Sequence, residues 1–306
     1  MVNSYDVLIV GGSYAGLACA LTLGRSLRKV LVMDSGEPCN RYATHAHNFL
    51  GADGIPVDEL KSNALRNIRN YKTVTLIENT VENCKKTSLG FELSATKGNK
   101  YYGKKLVIAT GIKDILDDIP GLKECWGISA IHCPYCHGYE YHAQPTGIII
   151  KGASAIHHAE LISNWTSALF LFTNGDPELT EERIKSIKAL GVELIETPVK
   201  ELIHDNGKLK CIITADGKEY PMKAVYVSPT TLQASNLAAS LGCELNDKGL
   251  IETDKEQKTN VEGVYACGDC TANRSLAGAV NSGHIAGGAV NNTLIAEGFF
   301  ASQSNG

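Results

Sequence analysis

The chain of 306 residues lacks a long hydrophobic run, an excess of charge of either sign, and a basic leader. No apolar stretch approaches the roughly 20 residues that a membrane helix needs, so we expect no membrane association. Lys and Arg number 29 against 33 Asp and Glu, and a net charge of -4 gives no general affinity for nucleic acid. Because no basic region precedes the first apolar stretch, we expect no secretory signal and a cytoplasmic protein.

Internal repeats and low-complexity tracts are also absent from the sequence. A hydrophobic fraction of 43% with 20% charged residues is typical of globular proteins. The length predicts two domains, each large enough for its own core. Ten cysteines in a chain without an export signal indicate reduced thiols, with room for one catalytic pair.

Short apolar runs alternate with helical patterns, which predicts an α/β fold with parallel sheets and crossover helices. A strand–turn–helix–strand unit occupies residues 5–34, and a similar unit occupies residues 147–174. Two such units predict two Rossmann-like, three-layer ββα domains that bind dinucleotides. We place the first domain at both ends of the chain, residues 1–113 and 248–306, and the second, residues 114–247, inserted between them.

The first unit carries a dinucleotide fingerprint, Gly11-x-x-x-x-Gly16 after a strand with Asp34 at the end of the next strand. Glycines let the backbone approach a pyrophosphate, and the helix that follows offers free N–H groups. Asp34 would accept hydrogen bonds from a ribose, and Ser13 replaces the usual middle glycine. The alternative is a glycine-rich turn without a ligand. The candidate binding residues are Gly11, Gly12, Ser13, Ala15, Gly16 and Asp34.

Cys133-Pro134-Tyr135-Cys136-His137 is the most informative stretch. Two cysteines three positions apart can close a small disulfide ring, and one thiolate of such a pair is commonly acidified. His137 could carry a proton during thiol exchange, because an unperturbed imidazole has a pKa of about 6.5. His132 is a second candidate for that task.

Two alternatives compete with a redox pair. One is a zinc site made of both Cys-x-x-Cys pairs, Cys133 with Cys136 and Cys267 with Cys270. The other is a pair of inert core thiols. The second pair lies inside a further motif, and a proline and a histidine accompany the first, so we favour the redox pair and expect no metal.

Nearly the whole chain resembles the low-molecular-weight thioredoxin reductases. The matching elements, in family order, are Gly11 to Gly16 with Asp34, Asn48-x-x-Gly51, Ala109-Thr110-Gly111 before Pro120-Gly121, Cys133-x-x-Cys136, and Thr259 to Asp269. The resemblance implies FAD as the cofactor and a homodimer. It places Asn48 near the isoalloxazine ring. Arg41, beside Cys39 and Asn40, either contacts the FAD phosphates or is a lone surface arginine. The resemblance further implies cofactor contacts from Thr110, Gly111, Gly268 and Asp269.

The same resemblance implies that Cys136 faces the flavin and that Cys133 exchanges disulfides with the substrate. The second nucleotide loop departs from the family pattern, because it reads Gly152-Ala153-Ser154 and is followed by residues 172–176 without arginine. Losing two charge-assisted hydrogen bonds of about 1.5–3 kcal/mol each would weaken NADPH binding about a hundredfold or more. NAD(P)H is therefore a doubtful cofactor, although NADH lacks the phosphate and remains open.

His137 also departs from the reductases, which carry aspartate at that position, and is similar to a sister group of FAD-dependent dithiol oxidases. We therefore expect an enzyme that oxidises dithiols to disulfides with O2 or another acceptor. The alternatives are an NAD(P)H-dependent thioredoxin reductase with a divergent nucleotide site and a non-catalytic flavin-binding redox sensor. The partner would be a small dithiol or disulfide, or a thioredoxin-like protein.

His45 and His47 precede Asn48 in the loop that the resemblance places near the flavin. They allow two interpretations. One is a second acid or base, or a substrate contact. The other, which we favour at this point, is a pair of loop histidines that make ordinary hydrogen bonds.

Overall fold

The structure is a computed structural model that describes residues 4–272 and 274–303. The elements of the first part are β1 (Ser4–Val10), α1 (Tyr14–Arg25), β2 (Val30–Asp34), β3 (His45–Ala46), β4 (Ile55–Pro56), α2 (Val57–Arg69), β5 (Val74–Glu78), β6 (Val81–Thr87), β7 (Gly90–Ala95), β8 (Lys100–Ile108) and β9 (Ile112–Ile115). A short 3-10 helix, Thr96–Gly98, joins β7 to β8.

The chain then continues with α3 (Leu122–Cys125), β10 (Ala130–Ile131), α4 (Pro134–His137), β11 (Thr146–Ile149), α5 (Ala153–Ile162), β12 (Leu169–Phe172), α6 (Glu181–Ala189), β13 (Glu193–Ile195), β14 (Val199–Asp205), β15 (Lys208–Thr214), β16 (Glu219–Pro221), β17 (Ala224–Val227), β18 (Thr230–Gln233), α7 (Leu237–Ser240), β19 (Val264–Ala266) and α8 (Leu276–Gln303). None of the helices in residues 4–272 and 274–303 is long and apolar enough to cross a membrane.

The first compact unit contains the chain up to Cys39, Asp58–Lys113, and the chain from Thr231 onward. Its parallel strands run in the order β5-β2-β1-β8, with β19 also paired to β8, and β7 and β6 extend the sheet antiparallel. Alternate side chains of β1 enter two separate cores. Val7 and Ile9 face the helical core with α1 and α8, whereas Leu8 and Val10 face the core that holds Phe91. Both faces of the sheet are therefore covered, as parallel sheets require.

The second unit contains Asn40–Val57 and Asp114–Thr230 and repeats this plan. Its parallel sheet has the order β10-β17-β11-β12-β13, and β14, β15 and β16 form a separate antiparallel sheet. Ile148 enters a core with α5 and α6, and Ile149 enters a core with the antiparallel strands. The α/β fold with two Rossmann-like sheets, predicted from the alternating pattern, is confirmed.

The two units differ from the proposed domain limits in two segments. Residues 231–247 pack with the first unit, because Leu237 and Cys243 share a core with Leu8. Residues 40–57 pack with the second unit, where a Cβ on Gly127 would lie 2.6 Å from the Cβ of Tyr42. Neither segment has an apolar pattern long enough to reveal its packing partner.

Close packing of α8 on α1 depends on glycine. A Cβ at Gly283 would lie 2.1 Å from the backbone oxygen of Ala15, whereas a Cβ at Gly288 would meet no atom within 4 Å. We predict that Gly283→Ala lowers the free energy of unfolding by about 1–3 kcal/mol through overpacking. Gly288→Ala, in the same helix, should leave it unchanged or raise it by up to about 1 kcal/mol. Urea unfolding followed by circular dichroism measures both, and equal effects would contradict this packing.

Candidate functional site

The first glycine loop, residues 11–16, lies at the carboxyl end of β1, and its glycines are packed too tightly to carry a Cβ atom. A Cβ on Gly11 would approach the oxygen of Ala109 to 2.1 Å, and one on Gly16 would approach the oxygen of Gly11 to 1.9 Å. The N–H of Gly12 donates to Oδ1 of Asp34 at 3.1 Å. The loop and the acid of the fingerprint therefore meet, with Ser13 at the start of α1 and Ala15 in its first turn.

Two further loops meet the first glycine loop, because β1, β8 and β19 are parallel and end at the same edge of the sheet. Gly268 has a φ of 84°, and a Cβ there would lie 2.8 Å from that of Ala15. Thr110 and Gly111 follow β8. The hydroxyl of Thr110 is buried and has no hydrogen-bond partner in the described part of the chain. This hydroxyl is therefore available to a ligand at this edge of the sheet.

The structure thus brings most of the expected cofactor residues together in the first unit, Asp269 following directly on Gly268. Arg41 and Asn48 belong to the second unit. The guanidinium of Arg41 lies 4.5 Å from the ring centre of Tyr42, and the N–H of Asn48 donates to Asp53 at 2.7 Å. Their contact with a flavin stays a prediction.

Cys133 and Cys136 form a disulfide, with their Cα atoms 5.3 Å apart. β10 ends at Ile131, so the pair follows the carboxyl end of a parallel strand. Cys133 caps α4, and Pro134 occupies the first helical position, which proline favours because its φ already suits a helix. Both cysteines are half-buried, so neither residue is enclosed in the core.

His137 ends α4, next to the disulfide. A Cβ on Gly138 would lie 2.9 Å from Nε1 of Trp165, so the chain after His137 lies directly against an aromatic ring. Nδ1 of His137 is buried and has no hydrogen-bond partner among the described residues. Burial lowers the pKa of His137; Glu140 opposes this effect and His47 adds to it. The ring is therefore neutral at neutral pH and able to accept a proton.

Sequence reasoning did not predict the carboxylates that lie beside His47. Nδ1 of His47 lies 3.6 Å from Oε1 of Glu140, so the loop histidine contacts the turn that follows α4. Asp53 is 3.9 Å from the same nitrogen. In the sequence, Glu140 ends the stretch Cys-x-x-Cys-His-Gly-Tyr-Glu that begins at Cys133. That stretch was the only sequence feature that pointed to Glu140. The pairing joins segments far apart in the chain and could not be read from spacing.

The second glycine loop, residues 151–154, runs into the first turn of α5 and is closed by the chain after β12. The N–H of Gly152 donates to the oxygen of Pro177 at 2.9 Å. Nζ of Lys151 lies 2.7 Å from Oε1 of Glu178, and Oε2 of Glu178 is 3.8 Å from the Cβ position at Gly152. Asp176 accepts from the N–H of Glu178 at 2.8 Å. A carboxylate therefore lies at the helix terminus where a dinucleotide phosphate would bind.

Cys267 and Cys270 differ from the disulfide pair because they are buried as free thiols in the first unit. The thiol of Cys270 donates to the oxygen of Cys267 at 3.2 Å. Burial raises the pKa of Cys270 to about 12 and that of Cys267 well above its ordinary value. Both stay protonated at neutral pH and are poor nucleophiles.

The profile of the pyridine nucleotide-disulphide oxidoreductase family matches residues 5–286, so the chain belongs to this family. The resemblance to thioredoxin reductase-like flavoproteins is confirmed by similar proteins. The thioredoxin reductase tcpT of Claviceps purpurea is 32% identical over 96% of each chain. The protein is therefore an enzyme, an oxidoreductase of a family that depends on FAD.

Solved structures agree with this assignment. The crystal structure of HlmI has a TM-score of 0.93 and 32% identity, covering 99% of this chain and 96% of that chain. An oxidoreductase from Agrobacterium tumefaciens has a TM-score of 0.90 and 35% identity, covering 95% of this chain and 99% of that chain.

Proposed function

We propose that the protein is an FAD-dependent dithiol oxidase that closes disulfides through Cys133 and Cys136. In the overall reaction a dithiol loses two protons and two electrons and gains an S–S bond. O2 takes up both and becomes hydrogen peroxide, or another two-electron acceptor replaces it. The substrate class is a small dithiol.

The closed second glycine loop is the observation that carries this proposal. Its N–H group at Gly152 is already bonded to Pro177, and Glu178 occupies the nearby ammonium of Lys151. Asp176 adds a second carboxylate close by. A reductase needs a nucleotide at this position, and phosphate would meet charge of its own sign there. A dithiol oxidase needs no nucleotide, so closure of this loop does not impair its reaction.

The residues of the first unit fit a flavin dinucleotide. We assign the first glycine loop and Asp34 to its pyrophosphate and adenosine, where the absent Cβ atoms leave the backbone open to a close approach. Thr110 supplies a buried hydroxyl that makes no hydrogen bond within the described residues. Gly111, Gly268 and Asp269 complete this edge of the sheet. When bound, the flavin supplies a two-electron acceptor for the reduced cysteines.

The cysteines and His137 perform the exchange. The imidazole of His137 takes the proton of the first substrate thiol, for which we assign the unpartnered Nδ1. The resulting thiolate attacks Cys133, the bond between Cys133 and Cys136 breaks, and Cys136 leaves as a thiolate. The second substrate thiol then attacks the substrate sulfur of the mixed disulfide, the bond to Cys133 breaks, and the proton of this thiol passes to the departing Cys133 thiolate. The substrate departs oxidised, and both enzyme cysteines are left reduced.

A thioredoxin reductase with a divergent nucleotide site is the second candidate. The name of the Claviceps purpurea relative favours it, since that protein is called a thioredoxin reductase. In such an enzyme the electrons would travel from a nucleotide to the disulfide and then to a substrate disulfide. The chain after β12 would then have to leave Gly152 for the nucleotide to bind.

An oxygen electrode tests the proposed reaction with dithiothreitol as the probe dithiol. The FAD-loaded protein should consume one O2 for each dithiol oxidised, and Cys136→Ser should abolish consumption because no internal disulfide can form. Cys211→Ser is the control, because Cys211 lies half-buried on β15 outside the site and should keep full activity. Oxygen consumption that survives in Cys136→Ser would contradict the role of the pair.

The buried hydroxyls of Thr110 and Thr73 provide a separate test of the flavin assignment. Thr110→Val should raise the Kd for FAD about two- to tenfold, since a hydrogen bond contributes about 0.5–1.5 kcal/mol. Thr73 also has a buried hydroxyl without a partner in the described residues, but it lies outside the proposed site. Thr73→Val should leave FAD binding unchanged in a fluorescence titration. Equal changes in both variants would argue against a flavin contact at Thr110.

A further inference from the structure

Lys61 lies beside the acid of the first glycine loop, although it is outside the dinucleotide fingerprint. It belongs to α2, and its Nζ is 3.6 Å from Oδ2 of Asp34 at the end of β2. The side chains of Lys61 and Asp34 are 29% and 28% exposed, so the pair is neither in a core nor on the open surface. Both residues are in the first unit, next to the loop that we assign to the flavin dinucleotide.

Contacts on two sides hold Asp34 against this loop. Its Oδ1 accepts from the N–H of Gly12 at 3.1 Å, and its backbone oxygen accepts from the N–H of Asn79 at 2.9 Å. Oδ2, the oxygen nearer to Lys61, accepts no hydrogen bond within the described residues. Because an ionised carboxylate oxygen has two lone pairs, Oδ2 can accept from a ligand without losing an existing bond.

The separation of Lys61 from Asp34 leaves both groups able to bond a third one. At 3.6 Å it exceeds the length of a hydrogen bond, whereas Lys151 of the second unit donates to Glu178 at 2.7 Å. An oxygen atom can lie within about 3 Å of two atoms that are this far apart, so one hydroxyl can bond both. The carboxylate only accepts, the ammonium only donates, and a hydroxyl does both. The pair is therefore complementary to a hydroxyl group.

The charges of the pair distinguish two kinds of ribose. In Rossmann-like sites an acid at this position accepts from the 2′-hydroxyl of an adenosine ribose, whereas a nearby cation accommodates a 2′-phosphate. Here the cation is paired with the acid, so the two groups together carry no net charge. A 2′-phosphate would gain from Lys61 and be repelled by Asp34. An unphosphorylated ribose, which FAD carries, meets no such conflict.

We propose that Asp34 and Lys61 together recognise the 2′-hydroxyl of the adenosine ribose of FAD. The carboxylate accepts the proton of this hydroxyl, and the ammonium donates to its oxygen. Lys61 is thus a further flavin-binding residue on α2, in addition to those of the glycine loop. The inference rests on the flavin assignment of the proposed function and does not depend on the direction of electron flow.

Two nucleotides that differ only in the 2′-hydroxyl test this pair. ADP and 2′-deoxy-ADP would compete with FAD for the full chain stripped of flavin, and FAD fluorescence would give both dissociation constants. In the unchanged protein ADP should bind about tenfold or more tightly than 2′-deoxy-ADP, because the hydroxyl contacts two charged groups. Lys61→Met should reduce this ratio about threefold or more, mainly by weakening ADP.

Lys104→Met is the matched control. Nζ of Lys104 lies 2.8 Å from Oδ1 of Asp6, so this variant also removes one ammonium from a lysine–aspartate pair of the first unit. Asp6 is near the start of β1, and the glycine loop follows the end of that strand. The ratio between ADP and 2′-deoxy-ADP should therefore stay unchanged in Lys104→Met.

An unchanged ratio in Lys61→Met, or equal weakening of both nucleotides, would overturn recognition of the hydroxyl by the pair. Lys61→Ala provides the same comparison if Lys61→Met does not fold. Failure of the unchanged protein to bind either FAD or ADP would overturn the flavin assignment together with this inference. Absence of oxygen consumption with dithiols, with the expected ratios intact, would contradict the proposed oxidase alone.

Discussion

Whether a pyridine nucleotide can bind to this enzyme depends on the charges at the amino end of α5. A phosphate at a helix terminus needs free N–H groups and a cation nearby. Here the N–H of Gly152 donates to Pro177, and the ammonium of Lys151 is paired with Glu178. The exposed ion pair contributes little stability by itself. Its importance is that Glu178 occupies the ammonium of Lys151, which is then not free to pair with a phosphate.

The two units share one architecture, but their glycine loops differ. In the first, the loop glycines pack against Ala109 and Asp34. In the second, the chain after β12 returns over Gly152 and fills the equivalent place. The same parallel strands thus support one loop that fits a dinucleotide and one that is closed. In our proposal this asymmetry determines the direction of electron flow.

Much of this arrangement could be predicted from the sequence, and the rest could not for physical reasons. Buried strands and glycine turns have local patterns, so the Gly11 loop, Asp34 and the Cys133–Cys136 pair were identifiable. Asp205-Asn206-Gly207 and Asp216-Gly217 are typical turn sequences, and they join β14, β15 and β16. Helix α5 begins at Ala153, so Ala153 and Ser154 of the second glycine loop are already helical.

Contacts between distant segments had no local signal. Residues 231–247 join the first unit through Leu237, and residues 40–57 join the second. The interpretation of His47 as an ordinary loop histidine did not anticipate its pairing with Glu140 at 3.6 Å. Closure of the second glycine loop by Pro177 and Glu178 was likewise invisible, although the missing arginines pointed to a weakened site.

The central claim is that dithiols, and not pyridine nucleotides, deliver electrons to the enzyme. Anaerobic rapid mixing of the yellow protein with a dithiol or with NADPH tests this most directly, with the flavin absorbance as the signal. Our account predicts fast bleaching by the dithiol and no bleaching by NADPH on the same timescale. Fast bleaching by NADPH with a slow or absent response to the dithiol would contradict it.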